Sequence, residues 1–144
     1  MSRVLLIDDD RAGRTALEAV LTNCGHTVAV ADNGLDGLCA AINEPPDAVV
    51  SDVNMPLVDG RDVAWILKTL PESTNVPVVL VSGEVPSTSA PVAAMLQKPV
   101  DAALLITLLH AAMDGRAADE NYSAMVRWCI SVPDLPPRPS ASPP

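Results

Sequence analysis

Asp52 closes the apolar run Ala48-Val49-Val50-Ser51-Asp52, and the triplet Asp8-Asp9-Asp10 follows Val4-Leu5-Leu6-Ile7. Two more polar residues stand behind apolar runs: Ser82 after Val76–Val81, and Lys98 after Ala93–Gln97. If these runs are parallel strands, their carboxyl ends share one edge and the four positions meet. Carboxylates brought together repel, and some of their pKa values rise unless a cation joins them. Few hard oxygen donors with room for water suit Mg²⁺. A lysine and a hydroxyl facing that cation match the remaining oxygens of a tetrahedral phosphoryl group. A carboxylate is itself a competent nucleophile and would form an aspartyl-phosphate. Taken singly, Asp10 reads as a helix cap, Ser82-Gly83 as a turn and Lys98 as a solvated lysine. Their joint placement carries the specificity.

The elements that must position these residues alternate. Val4–Ile7 reads as a strand, and 11–24 as a helix with Leu17, Val20, Leu21 and Cys24 at helical spacing, stopped by Gly25. His26–Ala31 is a second strand. Asn33-Gly34 turns into a second helix holding Leu35, Leu38 and Ile42. After the breaker Pro45-Pro46-Asp47 comes the buried strand ending at Asp52, then turn signals at Met55-Pro56 and Asp59-Gly60. A third helix spans Arg61–Leu70, with Val63, Ile66, Leu67 and Leu70 as its buried stripe and Trp65 pointing away as a candidate partner contact. Asp101 caps a last helix through Met113, ended by Gly115. Strand and helix in alternation imply a parallel sheet with helices on both faces.

At 144 residues and 15.0 kDa the chain is expected to hold one domain, residues 1–115. Residues 116–132 form an amphipathic extension. Residues 133–144, half of them proline, read as a solvated tail. Aromatics are 2% of the chain and Phe is absent, so the core must be built from Val, Leu, Ile and Ala. A net charge of −9 argues against nucleic acid or an anionic membrane as partner. Cys24, Cys39 and Cys129 read as reduced, mostly buried thiols, Cys24 and Cys39 packing within helices. No targeting segment or membrane-spanning run is visible, and a cytoplasmic location is expected.

The motifs Val4-Leu5-Leu6-Ile7-Asp8-Asp9-Asp10, Ser51-Asp52-Val53-Asn54-Met55-Pro56 with Asp59-Gly60, Val81-Ser82-Gly83 and Lys98-Pro99 resemble the receiver domain of two-component response regulators, over about residues 2–113. The resemblance implies a flavodoxin-like, doubly wound five-stranded parallel sheet of order 2-1-3-4-5. By it, Asp52 accepts a phosphoryl group from a phospho-histidine. Asp9 ligates Mg²⁺ directly, Asp8 supports it partly through water, and Asp52 and the Asn54 backbone carbonyl join the ligand set. Ser82 is the switch hydroxyl, Lys98 pairs with a phosphate oxygen, and Lys98–Pro99 is cis. The implied partners are a sensor histidine kinase or histidine phosphotransfer protein and a downstream protein target. Such a domain is no enzyme beyond catalysing its own phosphorylation and dephosphorylation.

Two features depart from that pattern. Met95 stands where the family often has an aromatic switch residue. Only fifteen residues separate Ser82 from Lys98, whereas a crossover connection takes a dozen or more besides the strand it leads to. Pro91 would cost a helix interior roughly 3 kcal/mol. A loop with at most one turn of helix is therefore expected over 83–92, the fourth helix being shortened or absent. That would leave a sheet face without its usual cover. Tyr122, Met125, Val126, Trp128, Ile130 and Val132 could fill it, in the same chain or as the arm of a homodimer. Two other functions compete. A receiver-like module that docks without phosphorylation keeps the fold but not the chemistry. A haloacid-dehalogenase-type phosphatase would use Asp8-x-Asp10, Ser82 and Lys98, but would lack a later acidic pair and a cap and leave Asp52 idle.

Overall fold

The structure, a computed structural model, describes residues 2–84 and 89–114. Five parallel strands, β1 (Arg3–Ile7), β2 (Thr27–Ala31), β3 (Ala48–Asp52), β4 (Val78–Ser82) and β5 (Ala94–Gln97), lie in the order β2-β1-β3-β4-β5. Helices α1 (Arg11–Asn23), α2 (Gly34–Asn43), α3 (Gly60–Thr69) and α4 (Ala102–Met113) cover its two faces. The parallel sheet is what the alternation implies, and the doubly wound, flavodoxin-like order is the one implied by the resemblance to receiver domains.

Period-two alternation splits each central strand between two cores. Val4, Leu6, Val50, Val79, Val81 and Leu96 pack with α1 and α4 residues such as Leu21, Leu105 and Leu108. Leu5, Ile7, Val49, Val78, Leu80 and Met95 pack with Leu38, Val63 and Leu67 of α2 and α3. Each fully buried Leu or Val contributes about 1.5–3 kcal/mol of transfer free energy, which lets aliphatic residues alone fill both layers. Among the described residues no helix is long and apolar enough to cross a membrane.

Several boundaries and faces differ from the sequence reading. β4 starts at Val78 because the Val76 N–H turns back to the Ser73 carbonyl and Pro77 has no N–H to give. β2 starts at Thr27 because the His26 N–H is taken by the Leu21 carbonyl. On α2 the buried positions are Gly34, Gly37, Leu38 and Ala41, while Leu35 and Ile42 are exposed. A Cβ on Gly37 would collide with the Ile7 side chain, so the helix lies too close for a wide apolar stripe. On α3, Ala64 is buried with Val63 and Leu67, whereas Ile66 is partly exposed. Trp65 is half exposed, as its angular position demands. Cys24 and Cys39 are exposed free thiols, not packing residues, because the close face of each helix is already filled by Leu21 and by Leu38 with Ala41.

Between β4 and β5 none of the described residues is helical. The sheet beneath is nevertheless covered: Val78, Leu80 and Met95 are buried, and Ala90 and Val92 pack against their cluster. The middle of that loop, Gly115 as helix stop, Cys129, the 116–132 extension and the 133–144 tail lie outside the described residues.

All four helices begin at a side-chain cap: Asp10, Asn33, Asp59 and Asp101 each accept a backbone N–H of the first turn. At α3 the cap is reciprocal, since Asp62 also accepts the Asp59 N–H. Burial opposes charge on Asp59, but hydrogen bonds from the Arg61 side chain and from the Asp62 and Arg61 N–H groups outweigh it. Its carboxyl is held below the ordinary range. A depressed folded-state pKa adds stability above the unfolded value, and that stability is lost as pH falls through the folded one. Asp59→Ala is expected to cost about 1 kcal/mol at neutral pH. The deficit against wild type should shrink in acid, which urea melts at two pH values would measure.

Candidate functional site

Strand register builds the site. Ile7 pairs with Ser51, Asp52 with Val81, and Ser82 with Gln97. Each strand thus ends within about a residue of its neighbour, and Asp8, Asp52, Ser82 and Lys98 emerge side by side along one edge. One carboxylate oxygen from each of Asp8, Asp9 and Asp52 lies within 4.8 Å of those of the other two. Asp8 and Asp52 are buried at 2% and 7% exposure, while Asp9 is open to solvent. Lys98 Nζ stands 3.5 Å from Asp52 Oδ1 and 3.7 Å from Asp8 Oδ2. The Lys98–Pro99 bond is cis, as expected. Ser82 is buried, its Oγ accepting the Glu84 N–H at 3.1 Å and its carbonyl accepting the Lys98 N–H at 2.7 Å.

The charges do not balance. Three carboxylates share one ammonium, so the edge carries excess negative charge. Burial pushes the Asp52 carboxyl up, Lys98 pulls it down, and Asp8 and Asp9 push it up again; the net shift is upward. A buried, crowded carboxylate that resists ionisation fits a divalent cation, and an all-oxygen donor set suits Mg²⁺. Asp10 does not join the cluster: its side chain caps α1, and its N–H donates to Asp8 Oδ1 at 2.8 Å. Met95 is buried within β5, so the position of the family's aromatic offers no mobile exposed ring.

Three further residues support the site: Arg14 and Leu57, which the sequence does not mark, and Gly60, which it marks only as part of a turn. Arg14 Nη1 donates to the Asp8 carbonyl at 2.7 Å, tying the acidic turn to α1. No spacing rule marks that contact. Gly60 brings α3 back against β3: its N–H bonds the Val53 carbonyl at 3.0 Å, and a Cβ there would strike the Asp52 carbonyl oxygen. Leu57 has a φ of 68°, and the Val58 N–H closes a three-residue turn onto the Pro56 carbonyl at 2.8 Å. Its side chain is 98% exposed. A leucine in the left-handed region, between Pro56 and Asp59, is a costly choice for a surface loop.

A family model, the response regulator receiver domain, matches residues 4–110. The chain belongs to this family. Among its relatives, protein PilH of Pseudomonas aeruginosa is 32% identical over 121 residues, covering 80% of this chain and 100% of PilH. Transcriptional regulatory protein AfsQ1 of Streptomyces coelicolor is 42% identical over 82 residues, covering 57% of this chain and 35% of AfsQ1. Response regulator MprA of Mycobacterium sp. is 34% identical over 122 residues, with 82% and 53% covered. The chain therefore spans about a third of AfsQ1, about half of MprA and all of PilH. Of solved structures, the receiver domain of a sensor histidine kinase from Pseudomonas aeruginosa, with magnesium ion coordinated in its active site cleft, superposes with a TM-score of 0.74. It is 22% identical, with 78% of this chain and 98% of that one covered. Chemotaxis protein CheY4 of Vibrio cholerae gives a TM-score of 0.71 at 22% identity, with 78% and 98% covered. These last two show the fold alone. The docking-module and dehalogenase readings gain no support.

Two stability effects follow for the receiver domain. A raised folded-state pKa means ionised Asp52 costs folding free energy at neutral pH, and that cost disappears below the unfolded pKa. With chelator present, Asp52→Asn should therefore melt a few degrees higher than wild type near neutrality. The two melting points should converge as pH falls through the carboxylate range. Leu57→Gly should relieve about 1 kcal/mol of left-handed strain, partly offset by glycine's unfolded-state freedom. A denaturant midpoint equal to or above wild type would register it.

Proposed function

We propose that Asp52 is the phospho-acceptor of this receiver domain, taking a phosphoryl group from a phospho-histidine on a sensor histidine kinase or histidine phosphotransfer protein. The observation that carries this is the position of Asp52: buried, at the end of the central strand, beside two other acids and within reach of Lys98. Asp8, Asp9, Asp52 and the Asn54 backbone carbonyl would hold Mg²⁺. The ion would neutralise charge shared by the carboxylates and the incoming phosphoryl oxygens.

The chain's own groups do the rest. An Asp52 carboxylate oxygen attacks phosphorus as the bond from phosphorus to the imidazole nitrogen breaks, and that nitrogen keeps the electron pair. Lys98 already lies between Asp8 and Asp52, so its ammonium is placed to move from those carboxylates onto a phosphoryl oxygen. The Ser82 hydroxyl, now bonded to the Glu84 N–H, follows the new oxygen and pulls the start of the β4–β5 loop with it. That displacement changes which protein partner binds. Residues 1–115 are the working unit, catalysing only their own phosphorylation and dephosphorylation in the cytoplasm.

Incubation with a labelled small acyl phosphate or a phospho-histidine donor should label wild type only when a divalent cation is present. Asp52→Asn should drop labelling to background, Lys98→Ala should slow it at least tenfold, and Asp9→Asn should chiefly raise the Mg²⁺ requirement. An Asp52→Asn protein that labels like wild type would overturn the assignment.

A further inference from the structure

The chain has two histidines, 84 positions apart, and they touch. His26 precedes β2 and His110 lies in the last turn of α4, which places the pair at the amino-terminal edge of the sheet, opposite Asp52. Their Nε2 atoms are 2.9 Å apart, with ring centroids at 5.0 Å and planes inclined by 69°. Without a cation, one ring donates and the other accepts. The same separation is that of two imidazole ligands around one metal ion: bonds of about 2.0–2.1 Å at right to tetrahedral angles put the nitrogens about 2.9–3.4 Å apart.

Other donors surround them. A cavity of about 300 Å³ is lined by His26 and His110 and also by Cys24 and Asp114. Cys24 and His26 flank Gly25, whose φ of 90° turns the chain so that both residues border this cavity. His110 and Asp114 are four residues apart at the end of α4, a spacing that puts two side chains on one helix face. Ser2 also lines the cavity, and His26 Nδ1 is buried without a hydrogen bond. A proton on Nδ1 leaves Nε2 free to ligate.

We propose that His26 and His110 bind a borderline-soft divalent cation of the Zn²⁺ type through Nε2, with the Cys24 thiolate and the Asp114 carboxylate completing the shell. Two nitrogens, one sulfur and one oxygen suit Zn²⁺ and not the hard Mg²⁺ expected at the opposite edge. Cys24 and Asp114 come in by side-chain rotation. Among the described residues only Asp8, Asp9 and Asp52 form a group of three or more such donors already converged. Binding would staple the end of α4 to the turn between α1 and β2.

The test is a titration of the full chain with Co²⁺, then Zn²⁺, in saturating Mg²⁺ so that the acidic cluster is already occupied. One equivalent should bind. His26→Gln and His110→Gln should each weaken affinity at least tenfold, and Cys24→Ser should abolish the thiolate-to-Co²⁺ absorption band. Should a histidine variant fail to fold, imidazole nitrogen resonances of the wild type answer instead: Zn²⁺ should shift both Nε2 signals together. Unmoved imidazole signals, unchanged affinity in the double histidine variant, or binding confined to Asp8, Asp9 and Asp52 would each overturn the site. A band that survives Cys24→Ser would remove Cys24 from it.

Discussion

Repulsion between carboxylates at the end of a buried sheet is the constraint on which the rest of this receiver domain depends. Asp8 and Asp52 are both nearly inaccessible, and both lean on a single ammonium more than 3 Å away. Left to itself, a chain would separate such charges. Here the register of β1, β3 and β4 forbids separation, because shifting any strand by one residue would exchange its two core faces. Val4 and Leu6 would then trade places with Leu5 and Ile7, against helices shaped for the other set. The two hydrophobic cores thus hold the acids together, and the repulsion built into that arrangement is what a divalent cation would relieve.

The same reasoning explains the backbone around Asp52. Gly60 and Gly34 stand where a Cβ would meet the Asp52 and Val58 carbonyl oxygens, so both helices start hard against the end of β3 and the loop that follows Asp52. The α3 capping box and the turn at Leu57 fix that loop from its other end. Arg14 holds the Asp8 carbonyl from α1. The acids are thus held from several sides, through backbone and through the Arg14 side chain. Under the proposed switch, Lys98 and Ser82, at the β5 and β4 ends, would be the side chains that move.

How much of this was legible in the sequence depends on what each residue's pattern records. The strands could be read because buried parallel strands are short, continuous and β-branched. The acids could be read because each follows such a strand directly. Helix faces were less legible. Leu35 and Ile42 have the right spacing for burial yet are exposed, since Gly37 lets α2 approach Ile7 too closely for flanking side chains to fit beneath. Cys39 is exposed on the same helix, and Cys24 caps the end of α1 instead of packing within it: periodicity gives a side chain's angle, not the distance between helix and sheet or the residue at which a helix stops. Contacts such as Arg14 to the Asp8 carbonyl, or His26 to His110, depend on three-dimensional proximity that no local pattern encodes.

The β4–β5 connection shows where local chemistry and tertiary packing pull in different directions. Two prolines and a Ser-Thr-Ser run discourage a helix there, and none of the described residues of the connection is helical. The expected consequence, a bare apolar face, does not follow. Ala90 and Val92 pack against the cluster holding Leu80 and Met95, and the Ala93 N–H already bonds the Val78 carbonyl at 2.8 Å. The described part of the connection is turned at Pro91, where the Val92 N–H bonds the Ala90 carbonyl at 2.9 Å, and its two small aliphatic side chains are enough over strands whose own residues are Val, Leu and Met. In this arrangement the end of the connection is tethered to β4 by backbone instead of leaning on the sheet through a helix face. Met95, locked within the strand, cannot swing as an aromatic would. Under the proposed switch, motion at Ser82 would pass first to the backbone of Gly83 and Glu84, whose N–H the Ser82 hydroxyl holds.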